Sequence, residues 1–314
     1  MKNIYTIIVT YNGSKWMEKC LSTLIGSSYP TNILVIDNGS TDSTVSIIKS
    51  KFPIVQVIET GRNLGFGQAN NIGFEIAIKN NADYVFLLNQ DTWIEAGTLL
   101  LLIESHVKEP SFGIISPKHF AGNGLSLDRY FANYLLEFSS REELSSIVLN
   151  ENLPDKVELI NTQFVNAAAW LISSECLLKT GRFDPIFFHY GEDRDYAQRA
   201  IYWGFKIGIH PKAKIFHDRE ERILQLTDDP KTTLQREWIH FLNQACNIQK
   251  SGHEMLVIRR FLRHSFQTFL NTLALNRKEI RYNYFMARKI ALTFHRIGVS
   301  RKRSMASSST GYWN

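Results

Sequence analysis

Short apolar, β-branched runs alternate with amphipathic stretches through the first half of the chain. Ile4–Val9, Ile33–Ile36, Val55–Ile58, Tyr84–Leu88 and Gly113–Ser116 predict strands. Between them, Ser14–Ile25, Asp42–Lys51, Gln68–Lys79 and Ile94–Val107 carry helical spacing, with Met17, Leu21 and Leu24 forming the buried stripe of the first. Strands that are apolar along their whole length, separated by helices, imply a mostly parallel sheet covered on both faces. In such sheets ligands bind at the carboxyl ends of the strands, and the polar clusters of this chain fall at those ends. The second half is less regular. Phe164–Ile172 predicts a strand, Glu192–Trp203 a helix, and Lys206–Ile209 and Lys214–Phe216 two short strands. Gly122–Asp155 has weak periodicity and reads as a variable loop. Beyond about residue 234 the pattern is helical, with Phe261, Leu262, Phe266, Phe269 and Leu270 on one face, and Arg301–Arg303 with the Ser-rich tail read as disordered.

Charge divides the chain more sharply than its net value of +6 suggests. Lys231–Ser304 holds 15 Lys/Arg against 3 Asp/Glu, whereas the remainder holds 21 against 27. The basic surface therefore belongs to a C-terminal region, which speaks against nucleic acid as a partner of the main domain. The three cysteines, Cys20, Cys176 and Cys246, are far apart and without CxxC spacing, so neither a disulfide framework nor a zinc site is expected. With no signal peptide visible and no run of the roughly 20 apolar residues that crosses a bilayer, a cytoplasmic location is expected.

Four polar clusters sit at strand ends. Val9-Thr10-Tyr11-Asn12-Gly13 closes the first strand, and by itself a plain strand–helix turn accounts for it better than a ligand does. Asp37-Asn38-Gly39-Ser40-Thr41-Asp42 follows the second; a carboxylate ending an apolar strand needs donors, supplied by a base or ribose, or by a turn in which Ser40 or Thr41 caps the next helix. Gly61-Arg62-Asn63-Leu64-Gly65-Phe66-Gly67-Gln68-Ala69-Asn70-Asn71-Ile72-Gly73 opens a helix. Its glycines allow close backbone approach and its helix N-terminus favours a diphosphate, although tight packing alone would also demand glycine. Asn89-Gln90-Asp91 follows the strongest strand. A carboxylate there suits Mg²⁺ or Mn²⁺ bridging phosphate oxygens; the alternative is a cap for the helix near Ile94.

The succession VTYNG, IDNGSTD, GRNLGFGQANNIG and NQD resembles the family-2 glycosyltransferases of GT-A fold, in particular their bacterial rhamnosyltransferase-like branch, over about residues 4–220. The resemblance implies a Rossmann-like α/β catalytic domain over 1–233, with a nucleotide-sugar-binding part (1–118) and an acceptor part (119–233), followed by basic helices over 234–300 and a tail over 301–314. It implies that Thr10, Tyr11, Asn12, Asp37 and Asn38 line a nucleoside pocket, that Gly65, Gly67 and Asn70 approach the ribose and diphosphate, and that Asn89 and Gln90 complete the donor site. Asp91 becomes the metal-binding carboxylate of a DXD-like motif whose first position is Asn89. His217, in Ile215-Phe216-His217-Asp218-Arg219, resembles the histidine that completes the metal or diphosphate site.

The acceptor side continues the likeness, from Gly181-Arg182-Phe183-Asp184 into Phe187-Phe188-His189-Tyr190-Gly191-Glu192-Asp193. Inverting transfer needs a base opposite the leaving nucleotide; the resemblance assigns it to Asp193, with Glu192 orienting the acceptor. Asp195 and Arg199 have the i,i+4 spacing of a structural pair. Trp170 is read as lining the acceptor or donor-sugar pocket, with a core position as the alternative. The expected partners are a nucleotide-diphosphate sugar (dTDP-rhamnose, or a UDP-sugar) and a saccharide or lipid-linked acceptor of cell-surface polysaccharide synthesis. A basic amphipathic helix can lie on anionic lipid, so contact with the inner face of the membrane belongs to the same picture. The rival readings are a nucleotidyltransferase, which would need an Arg/Lys-containing glycine loop after the first strand, and a non-catalytic nucleotide-sugar-binding module.

Overall fold

A computed structural model of the chain describes residues 1–138, 159–219 and 230–306. The chain divides into two compact units, Met1–Gln225 and Leu226–Asn314. The first is built on one sheet. Its strands are β1 (Ile4–Thr10), β2 (Asn32–Asp37), β3 (Gln56–Glu59), β4 (Tyr84–Leu88), β5 (Thr92–Ile94), β6 (Phe112–Ala121), β7 (Ile160–Thr162), β8 (Ala169–Ser173) and β9 (Lys206–His217), in the order β3-β2-β1-β4-β8-β6-β9-β5, with β7 on β9. Helices α1 (Ser14–Ile25), α2 (Thr44–Lys51), α3 (Phe66–Lys79), α4 (Thr98–Lys108), α5 (Arg129–Phe138), α6 (Ser174–Thr180) and α7 (Glu192–Tyr202) accompany it.

The sheet is mostly parallel with three reversed strands, β5, β7 and β8. β3, β2, β1 and β4 run parallel, as strand–helix alternation requires, and β6 and β9 are parallel to each other. The antiparallel pairings all involve β5, β7 or β8. No periodicity in the sequence distinguishes the two directions here, because β4 and β8 are buried at every position and both read as continuous apolar runs. The central pairing sets Leu88 opposite Ala169 and Leu87 opposite Trp170. Helix α1 buries Met17, Cys20, Leu21 and Leu24, the i, i+3, i+4, i+7 stripe of an amphipathic helix.

Four local expectations change. Helix α4 begins at Thr98, because Thr92–Ile94 is drawn into the sheet against Ile215–His217. Lys206–Ile209 and Lys214–Phe216 join into one strand, with a register irregularity against Pro117 and Lys118. The stretch after Gly122 contains α5: Asp128 Oδ1 accepts the Phe131 N–H at 2.9 Å, a helix cap, and Phe131 and Leu135 bury one face. Residues 139–155 of that predicted loop lie outside the described residues. Arg301–Arg303 are helical, not disordered.

The second unit consists of α8 (Pro230–Cys246), α9 (His253–Leu273) and α10 (Arg277–Met305). Its interior includes a His264 Nδ1–Asn283 Oδ1 hydrogen bond of 2.8 Å between α9 and α10. Arg301 is buried, and its guanidinium donates to the carbonyls of Ala245, Asn247 and Lys250. It thereby satisfies the open carbonyls after α8. The last residues, 307–314, lie outside the described residues.

The Asp195–Arg199 pair is structural. Arg199 Nε donates to Asp195 Oδ2 at 2.8 Å, and its other nitrogens donate to the carbonyls of Thr180 and Arg182 at 2.7 and 2.9 Å, with both side chains nearly inaccessible. Burial raises the Asp195 carboxyl to about 6 even against the Arg199 charge. Removing one partner leaves a charge and two carbonyls buried without compensation. Arg199→Met is therefore expected to lower stability by about 3–5 kcal/mol in urea unfolding. Asp195→Leu in the same chain should restore part of that loss. A single-variant loss below about 1 kcal/mol would refute a structural role for the pair.

Candidate active site

The carboxyl ends of β1, β2 and β4 are laced together by side chains. Thr10 Oγ1 donates to Gln90 Oε1 at 2.6 Å, the Tyr11 N–H donates to the same oxygen at 3.0 Å, and Gln90 Nε2 returns a bond to the Tyr11 carbonyl. Asn12 receives the Thr41 N–H on Oδ1 and gives its own N–H to Ser40 Oγ. Asn38 accepts the Leu64 N–H and donates to Asn63 Oδ1. Thr10, Asn38 and Gln90 are buried and form the frame, whereas Tyr11 is 45% exposed. Asp37 Oδ2 accepts the N–H groups of Gly39 and Ser40, the turn arrangement anticipated for it, but its buried Oδ1 takes no hydrogen bond from any described residue. Helix α2 starts at Thr44, so neither Ser40 nor Thr41 caps it.

The glycines of the third cluster have packing reasons. Gly65 lies at φ +83°, and a Cβ there would collide with the Phe188 carbonyl; a Cβ at Gly67 would press on Phe183 and reach Glu192. Asn71 and the Phe183 backbone exchange two bonds, at 2.9 and 2.8 Å. The start of α3 is thus clamped to the chain that leads into α7. Asn70 is buried and donates to the Phe66 carbonyl, so its amide is used inside α3.

Asp91 and His217 meet. His217 Nε2 lies 3.2 Å from Asp91 Oδ1, both side chains are inaccessible, and the Asp218 N–H donates to the Asp91 carbonyl at 2.9 Å. This contact follows from β5 pairing with β9, which sets Thr92 opposite His217. Asp91 caps no helix, since α4 begins seven positions later. Asn89 gives its N–H to the Ala168 carbonyl at 2.9 Å. Among the described residues no group of three or more His, Cys, Asp or Glu could hold a metal. A pair suffices for Mg²⁺ or Mn²⁺ with phosphate and water in the other positions, and two adjacent donors of such an ion are separated by roughly 3 Å, given bonds of about 2.1 Å. The pair fits that geometry.

Asp193 and Glu192 open α7, behind Gly191 at φ +90°. Asp193 Oδ1 accepts the Arg194 N–H at 2.8 Å and Oδ2 the Ala167 N–H at 3.4 Å. The Ala167–Ala168 peptides therefore join the two acidic centres: Ala168 holds Asn89, two residues before Asp91, and Ala167 holds Asp193. Burial raises the Asp193 carboxyl, opposed by backbone donors and the Arg219 charge. Burial and then the Asp193 charge push Glu192 up to about 8. Trp170, by contrast, is wholly buried against Tyr196 and lines no accessible pocket; its place on the central strand β8 puts it in the core.

Two residues of this region escaped sequence reasoning. Asp128 is buried, and its Oδ2 lies 3.2 Å from Arg219 Nε and 4.0 Å from His217 Nδ1. Arg219 Nε also donates to His217 Nδ1 at 3.1 Å. The only local signal for Asp128 was a helix-capping aspartate in front of Phe131, inside a stretch of weak periodicity.

Comparisons with known proteins bear on the family and the fold. The family model described as "Glycosyl transferase family 2" matches residues 5–161, half of the chain. The N-acetylglucosaminyl-diphospho-decaprenol L-rhamnosyltransferase of Mycobacterium tuberculosis is 25% identical over 232 residues, 68% of this chain and 75% of that protein. The dTDP-rhamnosyl transferase RfbF of Shigella flexneri is 24% identical over 223 residues, 68% and 69% of the two chains. Among solved structures, the Pyrobaculum calidifontis mannosyltransferase PcManGT in complex with GDP-Man and Mn²⁺ superposes with a TM-score of 0.53 at 17% identity, over 82% of this chain and 64% of that one. Residues 1–349 of Staphylococcus aureus TarS in complex with UDP-GlcNAc give 0.53 at 16% identity, over 81% and 70%. A further TarS chain is spanned over only 36% of its length. The mixed sheet with its flanking helices is a GT-A fold, and the chain belongs to glycosyl transferase family 2.

Proposed function

We propose that the chain transfers a sugar, with inversion, from a nucleotide-diphosphate donor to a hydroxyl acceptor, using a divalent cation at Asp91 and His217 and Asp193 as general base. The observation that carries this reading is the short bridge through Ala167 and Ala168, which sets the Asp193 carboxylate beside the strand end that bears Asp91. On the donor side, the unpaired Asp37 Oδ1 is suited to accept an N–H from a base, and the exposed Tyr11 ring to lie against one. A bound cation would neutralise charge on the departing diphosphate. The chain's own residues do the rest: Asp193 takes the acceptor's proton, and Glu192, protonated at neutral pH, leaves the negative charge to its neighbour. Arg219 favours that charge on Asp193. Burial raises both carboxyls, and the Arg219 charge and backbone donors oppose the rise at Asp193. The two relatives named for rhamnosyl transfer favour a dTDP-rhamnose donor, with UDP-sugars as the alternative, and a lipid-linked saccharide diphosphate as acceptor. A nucleotidyltransferase is disfavoured by Thr10–Gly13, which has no basic residue.

The helical unit adds a surface suited to such an acceptor. Met255, Ile258, Leu262, Phe266, Phe269 and Leu273 are exposed along α9 at helical spacing, with Arg259 and Arg263 interleaved. No described helix is long and apolar enough to cross a membrane. An exposed apolar stripe flanked by arginines suits the surface of an anionic bilayer.

Four outcomes are expected. Asp193→Asn should abolish sugar transfer while keeping nucleotide-sugar affinity within about twofold, and Asp91→Ala should weaken Mn²⁺-dependent nucleotide binding; a fully active Asp193→Asn variant would eliminate the base assignment. Glu192 holds in the folded chain a proton that the unfolded chain releases near its ordinary value of 4.5. Its protonated form therefore contributes stability at low pH that is lost as pH rises toward about 8. The melting temperature of Glu192→Gln relative to the parent should accordingly climb between pH 5 and 8; parallel curves would contradict the raised carboxyl. Finally, the full chain should co-sediment with vesicles containing phosphatidylglycerol but not with phosphatidylcholine alone, and Leu262→Glu with Phe266→Glu should release it. Equal sedimentation of parent and variant would exclude that face.

A further inference from the structure

The imidazole of His217 stands between two carboxylates, and the hydrogen bond on one of its nitrogens decides what the other can do. Arg219 Nε–H points at Nδ1 from 3.1 Å, so Nδ1 accepts and the ring proton falls on Nε2, a buried nitrogen that makes no hydrogen bond to a described residue although Asp91 Oδ1 lies 3.2 Å away. In that tautomer Nε2 has no lone pair for a cation. A neutral imidazole carries one ring proton, so ligation through Nε2 requires that proton on Nδ1, and Nδ1–H then needs an acceptor in a fully buried place.

Asp128 Oδ2 is suited to be that acceptor. It lies 4.0 Å from His217 Nδ1, and it is already 3.2 Å from the Arg219 Nε that occupies Nδ1. Asp128 is also rigidly held. Its Oδ1 caps α5 through Phe131 N–H at 2.9 Å, its own N–H donates to the His119 carbonyl at 3.0 Å, and its carbonyl accepts the Ala132 N–H at 2.9 Å. Only Oδ2 is left for the His217–Arg219 side. A small turn of Arg219, transferring its Nε–H wholly to Asp128, frees Nδ1 without unpairing the guanidinium.

We propose that Asp128 is a positioning residue that selects the cation-binding tautomer of His217, with Arg219 as the exchangeable partner of both. The inference rests on the cation role of Asp91 and His217 proposed above. Asp128→Asn is a discriminating variant. Its amide oxygen can keep the cap on Phe131, while its NH₂ replaces Oδ2 as a donor and so enforces the opposite tautomer.

The test is Mn²⁺ affinity, measured by electron paramagnetic resonance on the full chain with saturating UDP or dTDP, for the parent, Asp128→Asn, Asp91→Ala and His217→Gln. Ring ¹⁵N shifts of His217 are read with Mg²⁺ and nucleotide and assigned against His217→Gln. Asp128→Asn should weaken Mn²⁺ about 10–100-fold, the range for loss of such a partner, at nearly unchanged melting temperature, and should hold His217 in the Nε2–H form where the parent shows Nδ1–H. If Asp91→Ala weakens Mn²⁺ but Asp128→Asn leaves both affinity and tautomer as in the parent, the inference fails and the cation site stands. If Asp91→Ala and His217→Gln leave Mn²⁺ binding unchanged, the cation site itself is wrong and the inference falls with it.

Discussion

The antiparallel pairing of β4 with β8 is the constraint on which the site depends. It sets Leu88 against Ala169, and the chain on either side of that pair then has no freedom to separate. The loop after β4 carries Asn89, Gln90 and Asp91; the segment before β8 carries Ala167 and Ala168. Their backbone groups are buried and must be paired, and they find partners in Asn89 and in the Asp193 carboxylate. Two acidic groups about a hundred positions apart in sequence are thereby tied to the same end of the central strands by hydrogen bonds that a buried backbone cannot forgo.

Buried charge gives the site its chemical character. Asp195 is kept in the interior by Arg199, which also serves two carbonyls, so this ion pair fixes the first turns of α7. With that helix held, Glu192 and Asp193 at its start cannot escape their low-dielectric surroundings. Two neighbouring carboxyls in such a place cannot both ionise easily. The consequence is a division of labour: Glu192 retains its proton to about pH 8, and Arg219 favours the charge on Asp193. Structural pairing in one part of α7 thus holds the two buried carboxyls in place in the other.

Arg219 also links the carboxylate side to the Asp91–His217 side. Its Nε–H donates to His217 Nδ1, the same nitrogen lies 3.2 Å from Asp128 Oδ2, and its charge is felt at Asp193. Arg219 thus touches His217 and Asp128 directly and acts on Asp193 through its charge. The helical unit, by contrast, is held by its own contacts, among them the buried Arg301 that ties the end of α10 to the turn after α8.

The sequence by itself determined the elements whose information is local. Period and apolarity marked β1, β2, β4 and α1 almost to the residue. The strand-end clusters drew attention to Asp37 and Asp91, whereas Asp193, in the first turn of a helix, was singled out only by the family resemblance. It could not determine strand direction in the second half, since β8 is apolar throughout and would look the same in either sense. Nor could it separate Trp170 in the core from Trp170 in a pocket, or the packing of Gly65 and Gly67 from ligand approach. Those outcomes depend on which side chain arrives opposite, such as Phe188 over Gly65 and Tyr196 over Trp170. The same is true of Asp128, which as a sequence signal is only a helix cap. Its proximity to His217 exists because β6 and β9 run side by side, with Ala121 in register with His217, and only the folded sheet creates that neighbourhood.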